Sequence, residues 1–348
     1  MSIAFLPRYS ELGASSRCRF YMYFNEWKKA EPQANIAIYN GFSDDYLRKL
    51  YSQGKVGRLT QVREFLHMLR RGFILPENLI IEYELVPGLP YKYEKMLLGK
   101  RKYILNFDDN VWMKYANSPA LCDKYDMLCR NAAGVIVANE YLYNKAAALN
   151  KNVYLIPTVV DLAEYNAACA EKYECFTAAW IGTPVTYKYL EEFQSVLQKV
   201  FSTPDRRLLV IADKSLGSQR PLKGVNAEYV SWSAERECEY LKRCHVGIMP
   251  LTDDEFSRGK SAYKLLQCQA AGLPLAASPV GENKNVVIPG KNGFLANSAE
   301  DWLNALDSLQ HDKELYDLYS KNATLMAYEY SLQKYFTVYK DIVNKIFF

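Results

Sequence analysis

Lys260, Lys264 and Gln267 stand in the stretch KSAYKLLQCQAAGLPLAAS, residues 260–278. On a helix starting near Ser261, Lys260, Lys264, Gln267 and Ala271 form one stripe at about 3.6 residues per turn, with Leu265 and Leu266 on the other side. Positive side chains at a helix start oppose the macrodipole, which already places about half a positive charge there. A bound phosphate reverses the sign, because backbone N–H groups, dipole and lysine then all favour the anion. Gly272 suits the left-handed position after the helix, Pro274 prevents its continuation, and LPLAAS enters a sheet. The chemistry on offer is phosphate binding at the carboxyl edge of a parallel sheet. The same charges also suit a solvated basic face beside a core helix.

Two further groups have chemical potential. NFDDNVW sets Asp108 and Asp109 at a strand end, where a carboxylate can hold a hydroxyl or cap a helix. YSELGASSR follows the strand-like IAFLP, and Gly13 with Ala14 lets backbone approach a diphosphate, or makes an ordinary strand-to-helix turn. It is not a G-x-G-x-x-G, which disfavours a nicotinamide cofactor.

The elements that must position these residues are α/β units. Apolar runs such as NIAIYNGF, NLIIEYELV, KYILNFDD, GVIVANE and NVYLIPTVVD alternate with amphipathic stretches, and CFTAAWIGT, RLLVIADKS, HVGIMPLTD, LPLAASPV and GFLANS repeat the rhythm. VVDLAEYNAACAEKYE separates the two sets and marks a domain boundary, as a chain of 348 residues with 49% hydrophobic content leads one to expect. The helical, aromatic-rich tail must find a partner surface, and the expectation is that it crosses back onto the first domain.

Composition excludes several classes. A net charge of +4 is small for a dedicated nucleic-acid protein, although residues 1–165 carry 22 Lys+Arg against 17 Asp+Glu. The eight cysteines contain no C-x-x-C pair and read as reduced thiols, and with three histidines a metal site is not expected. No apolar run of about 18 residues and no secretory signal is visible, so the chain reads as cytoplasmic. KVGRLTQVREFLHMLRRGF, residues 55–73, mixes apolar residues at helical spacing with five basic ones, and suits either a core-packed helix or peripheral contact with the inner face of the cell membrane.

The Lys264 segment resembles the donor-binding helix of retaining glycosyltransferases of the GT-B fold, the broad glycosyltransferase family 4. The family pattern K-L-x-E-x-M-A-x-G-x-P-V stands here as Lys264-Leu-Leu-Gln267-Cys-Gln-Ala-Ala-Gly272-Leu-Pro274-Leu, followed by the similar SPVGENKNVVIPGKNGFLANSAEDW. FLPRYSELGASSR, AAGVIVANEYLYNKA, VYLIPTVVDLAEY and AAWIGTPVTYKYLEEF resemble other stations of the family in the same order.

The resemblance implies an α/β GT-B fold: two Rossmann-like domains facing across a cleft, with residues 1–165 plus 335–348 binding acceptor and residues 166–334 binding donor. It implies an enzyme that moves a sugar from a nucleotide-diphosphate sugar to a glycan or lipid-linked saccharide with retention, without metal or cofactor, in the setting of surface-polysaccharide assembly. The implied donor contacts are Gly13, Ala14, Thr183, Lys188, Arg258, Lys260, Gln267, Gly281 and Glu282, with Lys264, Asp108 and Asp109 at the reacting centre. Departures are visible. The family's two glutamates eight positions apart are here Gly259 and Gln267, Thr183 stands where an arginine is common, and Glu255 or Glu282 would have to replace the lost carboxylate. Those departures keep open a non-catalytic sugar-nucleotide or glycan binding protein on the same fold.

Overall fold

The computed structural model describes residues 2–348 and divides into two compact units. One comprises the chain up to Val159 with residues 259–261 and 334–348; the other comprises residues 160–258 and 262–333.

The first unit holds a six-stranded sheet of β1 (Ile3–Leu6), β2 (Ile36–Ile38), β3 (Asn78–Glu82), β4 (Lys102–Phe107), β5 (Gly134–Val137) and β6 (Val153–Leu155), in the order β2-β1-β3-β4-β5-β6. Every pairing is parallel. β1, β3 and β5 are buried along their whole length, as strands covered by helices on both faces must be. Ala4, Leu79, Leu105 and Val135 are among the residues of one continuous core.

The second unit repeats the plan with β7 (Phe176–Ile181), β8 (Arg206–Ala212), β9 (Ala227–Ser231), β10 (Val246–Met249), β11 (Leu275–Ala277) and β12 (Gly293–Leu295), ordered β12-β11-β10-β7-β8-β9 and again all parallel. Alternate residues feed opposite faces: Ala179, Ile181, Leu209 and Ile211 enter one core, while Ala178, Trp180, Leu208 and Val210 enter the other. β9 is the strand that sequence reading missed. It is a half-buried edge strand, AEYVS, without the apolar run that marks its neighbours.

In each sheet the chain leaves its first strand in one direction and later returns on that strand's other side. The switch falls between β1 and β3 in the first unit and between β7 and β10 in the second. Ligands of open parallel sheets collect beyond the carboxyl ends of strands at such points.

The terminal helix Leu332–Phe347 brings the aromatic tail onto the first unit. Tyr339, Val343 and Phe347, one turn apart in succession, are all buried. The Tyr339 ring stacks on Tyr23 at 4.1 Å, Lys340 pairs with Glu31, and Ile346 fills the space that a side chain at Gly134 would need.

Candidate functional site

At the switch point of the second unit, the loops after β7, β10 and β11 emerge side by side because those strands are adjacent and parallel. Trp180, near the end of β7, links two of them. A Cβ at Gly182 would run into its ring, so the chain can turn there only as glycine, and Lys264 Nζ lies 5.2 Å from the ring centroid on the other segment. Thr183 closes the β7 turn with Thr186 through reciprocal backbone-to-hydroxyl hydrogen bonds of 3.0 and 3.3 Å. Gly281, in the left-handed region at φ 52°, packs on the Arg258 carbonyl, where a Cβ would come within 2.8 Å. Thr183, Arg258, Lys264 and Gly281 thus occupy neighbouring segments that follow the carboxyl ends of β7, β10 and β11. Arg258 pairs with Asp253 at 2.6 Å, Glu282 accepts from Asn285 at 3.1 Å, and Lys188 is exposed above the Tyr189 ring.

The helix carrying Lys264 runs Tyr263–Ala270, two residues later than the sequence led us to expect. Ala262 precedes it at φ 53°, a left-handed residue that breaks the helix from Lys260. Lys260 therefore does not share its stripe, and it clusters with the first unit. The C-terminus follows the expectation: Gly272 at φ 75° donates to Gln269 and Leu273 donates to Cys268, the two bonds of a Schellman motif.

Gln267 requires a correction. It does not face solvent from a polar stripe. Leu265 through Ala270 are all buried, and Gln267 Nε2 donates to Glu237 Oε1 at 2.6 Å. Glu237 also accepts from Tyr165 Oη at 2.8 Å and Trp232 Nε1 at 2.6 Å. A core helix exposes only its first turn, so Tyr263 and the half-buried Lys264 are what it offers a ligand.

At the first unit's switch point the carboxyl ends of β1, β3 and β4 gather a dense ionisable cluster. Asp108 is buried, accepts from Tyr83 Oη at 2.5 Å, and has its carboxyl pushed up by burial and by the adjacent Asp109 charge. Tyr83 holds φ 64°, a costly conformation for a residue with a Cβ, and that conformation belongs to the turn between Glu82 and Glu84. Asp109 is partly exposed, 3.9 Å from Lys260 Nζ. Asp108, Asp109 and Lys260 are therefore together.

Gly13 and Ala14 begin the first helix after β1, but the Gly13 N–H already donates to Ser10. The glycine is demanded by Tyr9, whose Cβ a side chain would meet at 2.8 Å. The Gly13 amide is thus engaged within its own turn. Gly259 likewise has a packing cause: a Cβ there would meet Asn110 Cβ at 2.7 Å, which leaves no room for a glutamate.

Sequence reasoning missed the charged hub beside Asp108. Glu82 accepts from Ser16 Oγ at 2.5 Å and from the Arg8 N–H at 2.6 Å, yet burial pushes its carboxyl up to about 7. Glu84 receives Lys114, Lys124 at 2.5 Å, Arg8 at 3.4 Å and the hydroxyls of Tyr115 and Tyr125. Burial would raise Glu84, but Lys114, Lys124 and Arg8 outweigh it and bring the carboxyl down to about 2. Burial and the neighbouring Arg8 charge lower Lys114 to about 8, still protonated at neutral pH. The available signal was the string EYE closing an apolar strand, since charge at the carboxyl end of a parallel strand sits where ligands collect. Among the described residues no cluster of three or more His, Cys, Asp or Glu is arranged to hold a metal.

Residues 175–312, most of the second unit, match the family model described as Glycosyl transferases group 1. No curated protein matches the sequence. Among the solved structures similar over nearly the whole chain are three from different proteins. Anabaena HepE, in complex with UDP and glucose, has a TM-score of 0.71 at 13% identity, covering 99% of this chain and 100% of its own. Sucrose-phosphate synthase from Thermosynechococcus elongatus has a TM-score of 0.72 at 13% identity, covering 100% and 99%. A glycosyltransferase from Rickettsia africae has a TM-score of 0.65 at 12% identity, covering 99% and 98%. At these identities the likeness is one of fold.

Proposed function

We propose that this chain, of GT-B fold and carrying a group 1 glycosyl transferase segment over residues 175–312, transfers a sugar from a nucleotide-diphosphate sugar to a glycan or lipid-linked saccharide, with retention. The observation that carries the reading is Lys264 set over Trp180 beside the Gly182–Thr183 turn, at the switch point of the unit that the family model matches. The second unit takes the donor and the first takes the acceptor.

Departure of the sugar leaves charge on the β-phosphate. Lys264, with the N–H groups of the helix start, stabilises that charge more as it develops than in the bound substrate, which is what accelerates the step. Arg258 and Lys188 add cationic character on neighbouring segments. The leaving phosphate takes the acceptor proton, so no side-chain nucleophile is required. Asp109, partly exposed beside Lys260, orients the acceptor hydroxyl, and the buried Asp108 supports it through Tyr83.

The direct experiment is a thermal-shift screen with UDP, GDP, ADP and CDP sugars, followed by release of the nucleoside diphosphate with and without saccharide acceptors. Ligand at about a hundredfold excess over its dissociation constant stabilises by roughly 2.7 kcal/mol. Absence of any shift overturns the reading.

A second reading, a sugar-nucleotide binding protein without turnover, is favoured by Gly259 and the inward Gln267, which leave no carboxylate at either family position. It predicts the shift without release of the nucleoside diphosphate.

A further inference from the structure

The helix Arg58–Ile74 is apolar on two sides. One side, with Met68 and Gly72, is buried in the first unit, and there Glu64 binds Ser43 and Arg71 donates to the Tyr39 carbonyl at 2.8 Å. The other side carries Leu59, Val62, Leu66 and Phe73, exposed by 86, 55, 48 and 74%, with Ile74 at 76%. At about 100° per residue these first four fall within one stripe, bordered by Arg58 on one edge and by Arg63 and Arg70 on the other. The neighbouring helix Tyr91–Leu98, whose Leu97 packs by Gly72, adds exposed Met96 and Tyr93 with Lys92 and Lys95. Glu64 is the sole acidic residue between Lys55 and Ile74 and it is buried; Arg63 is paired with it at 3.1 Å and with the exposed Asp45 at 3.7 Å, which leaves Lys55, Arg58 and Arg70 as the segment's exposed cations.

We propose that this face rests on an anionic lipid surface, the stripe entering the headgroup boundary and the arginines on its two edges meeting lipid phosphates. A protein partner would account for the apolar stripe, but Arg58 on one edge and Arg70 on the other keep a cationic border even with Arg63 paired to Asp45, and that matches an anionic bilayer. No helix among the described residues is long and apolar enough to cross a membrane, so the contact is peripheral. The inference does not depend on the proposed glycosyl transfer, and it places the first unit where a lipid-linked acceptor is found.

The test is co-sedimentation of the full chain with phosphatidylcholine vesicles, with and without phosphatidylglycerol, read without donor or acceptor so that its failure is separate from failure of the catalytic reading. Binding is expected with phosphatidylglycerol only, and to fall as salt is raised. Leu59→Ser with Leu66→Ser, and separately Arg58→Gln with Arg70→Gln, should each lower the partition coefficient by roughly tenfold or more while the melting temperature stays unchanged, because all four side chains are exposed. Equal binding to neutral vesicles, no binding, or variants that bind like the parent overturn the proposal. So does a dimer in solution that the serine variant converts to monomer, since that would assign the stripe to a second copy.

Discussion

Gln267 and Glu237 share a hydrogen bond of 2.6 Å inside the second unit, and the accepting Glu237 oxygen also takes the Tyr165 hydroxyl at 2.8 Å. A glutamine is the right group there because it brings a donor to a buried carboxylate. Gln267→Glu would set two carboxylates in contact, with an expected loss of roughly 2–4 kcal/mol at neutral pH. Urea unfolding reads the difference. Adding Glu237→Gln should restore most of the loss, and a single variant as stable as the parent contradicts this account.

Lys264→Ala should weaken binding of the donor nucleoside diphosphate by about 1.5–3 kcal/mol, the worth of a charge-assisted hydrogen bond. Calorimetric titration with the free diphosphate measures it. Unchanged affinity removes Lys264 from the site.

The two aspartates should separate. Asp109 is partly exposed, so Asp109→Asn should lower turnover while leaving nucleotide affinity and melting temperature close to the parent. Asp108 is buried under Tyr83, so Asp108→Asn should lower turnover and also cost about 1–3 kcal/mol of stability, since the buried carboxyl that accepts from Tyr83 becomes an amide whose N–H groups need partners of their own. Full turnover in both variants discards the orienting role.

Glu82 sets a pH dependence. Its carboxyl is raised from 4.5 to about 7, so the folded state keeps the proton longer than the unfolded chain. The contribution is greatest below the unfolded value and is lost as pH rises through that interval, by an amount on the order of 3 kcal/mol. Glu82→Gln should flatten the corresponding part of the stability curve, and an unaltered curve would show that Ser16 and the Arg8 N–H keep the group ionised.

Glu84→Ala should be among the most damaging changes in the first unit. It strips the buried Lys124 of one of its two carboxylates, leaving Glu94 at 2.8 Å, and removes the acceptor of Lys114. The expected loss is about 3–5 kcal/mol by denaturant unfolding. A variant within about 1 kcal/mol of the parent would mean that water and Glu94 satisfy the cluster.

Much of the scaffold was legible because its signal is local. IAFL, NLIIE, KYILNF and FTAAWI are short apolar runs bounded by polar turns, and each is a strand. Gly272 before Pro274 announced the end of a helix, and the helix ends there. β9 escaped notice because an edge strand needs no apolar run, and the start of the Lys264 helix was misplaced because nothing in the alanine side chain of Ala262 reveals a left-handed φ.

Sequence alone determined the α/β class and the order along the chain of every strand but β9, and it nominated residues for phosphate chemistry, since all of these depend on side-chain type and short-range spacing. Tertiary structure alone decided which of those residues face outward. Lys260 and Lys264 are four positions apart yet belong to different units, Gln267 turns inward to a glutamate thirty residues earlier, and Glu82, Glu84 and Asp108 meet only because β3 and β4 pair in register. Burial, and with it the charge state of each carboxylate, depends on neighbours brought from distant parts of the chain, and linear spacing carries no record of them.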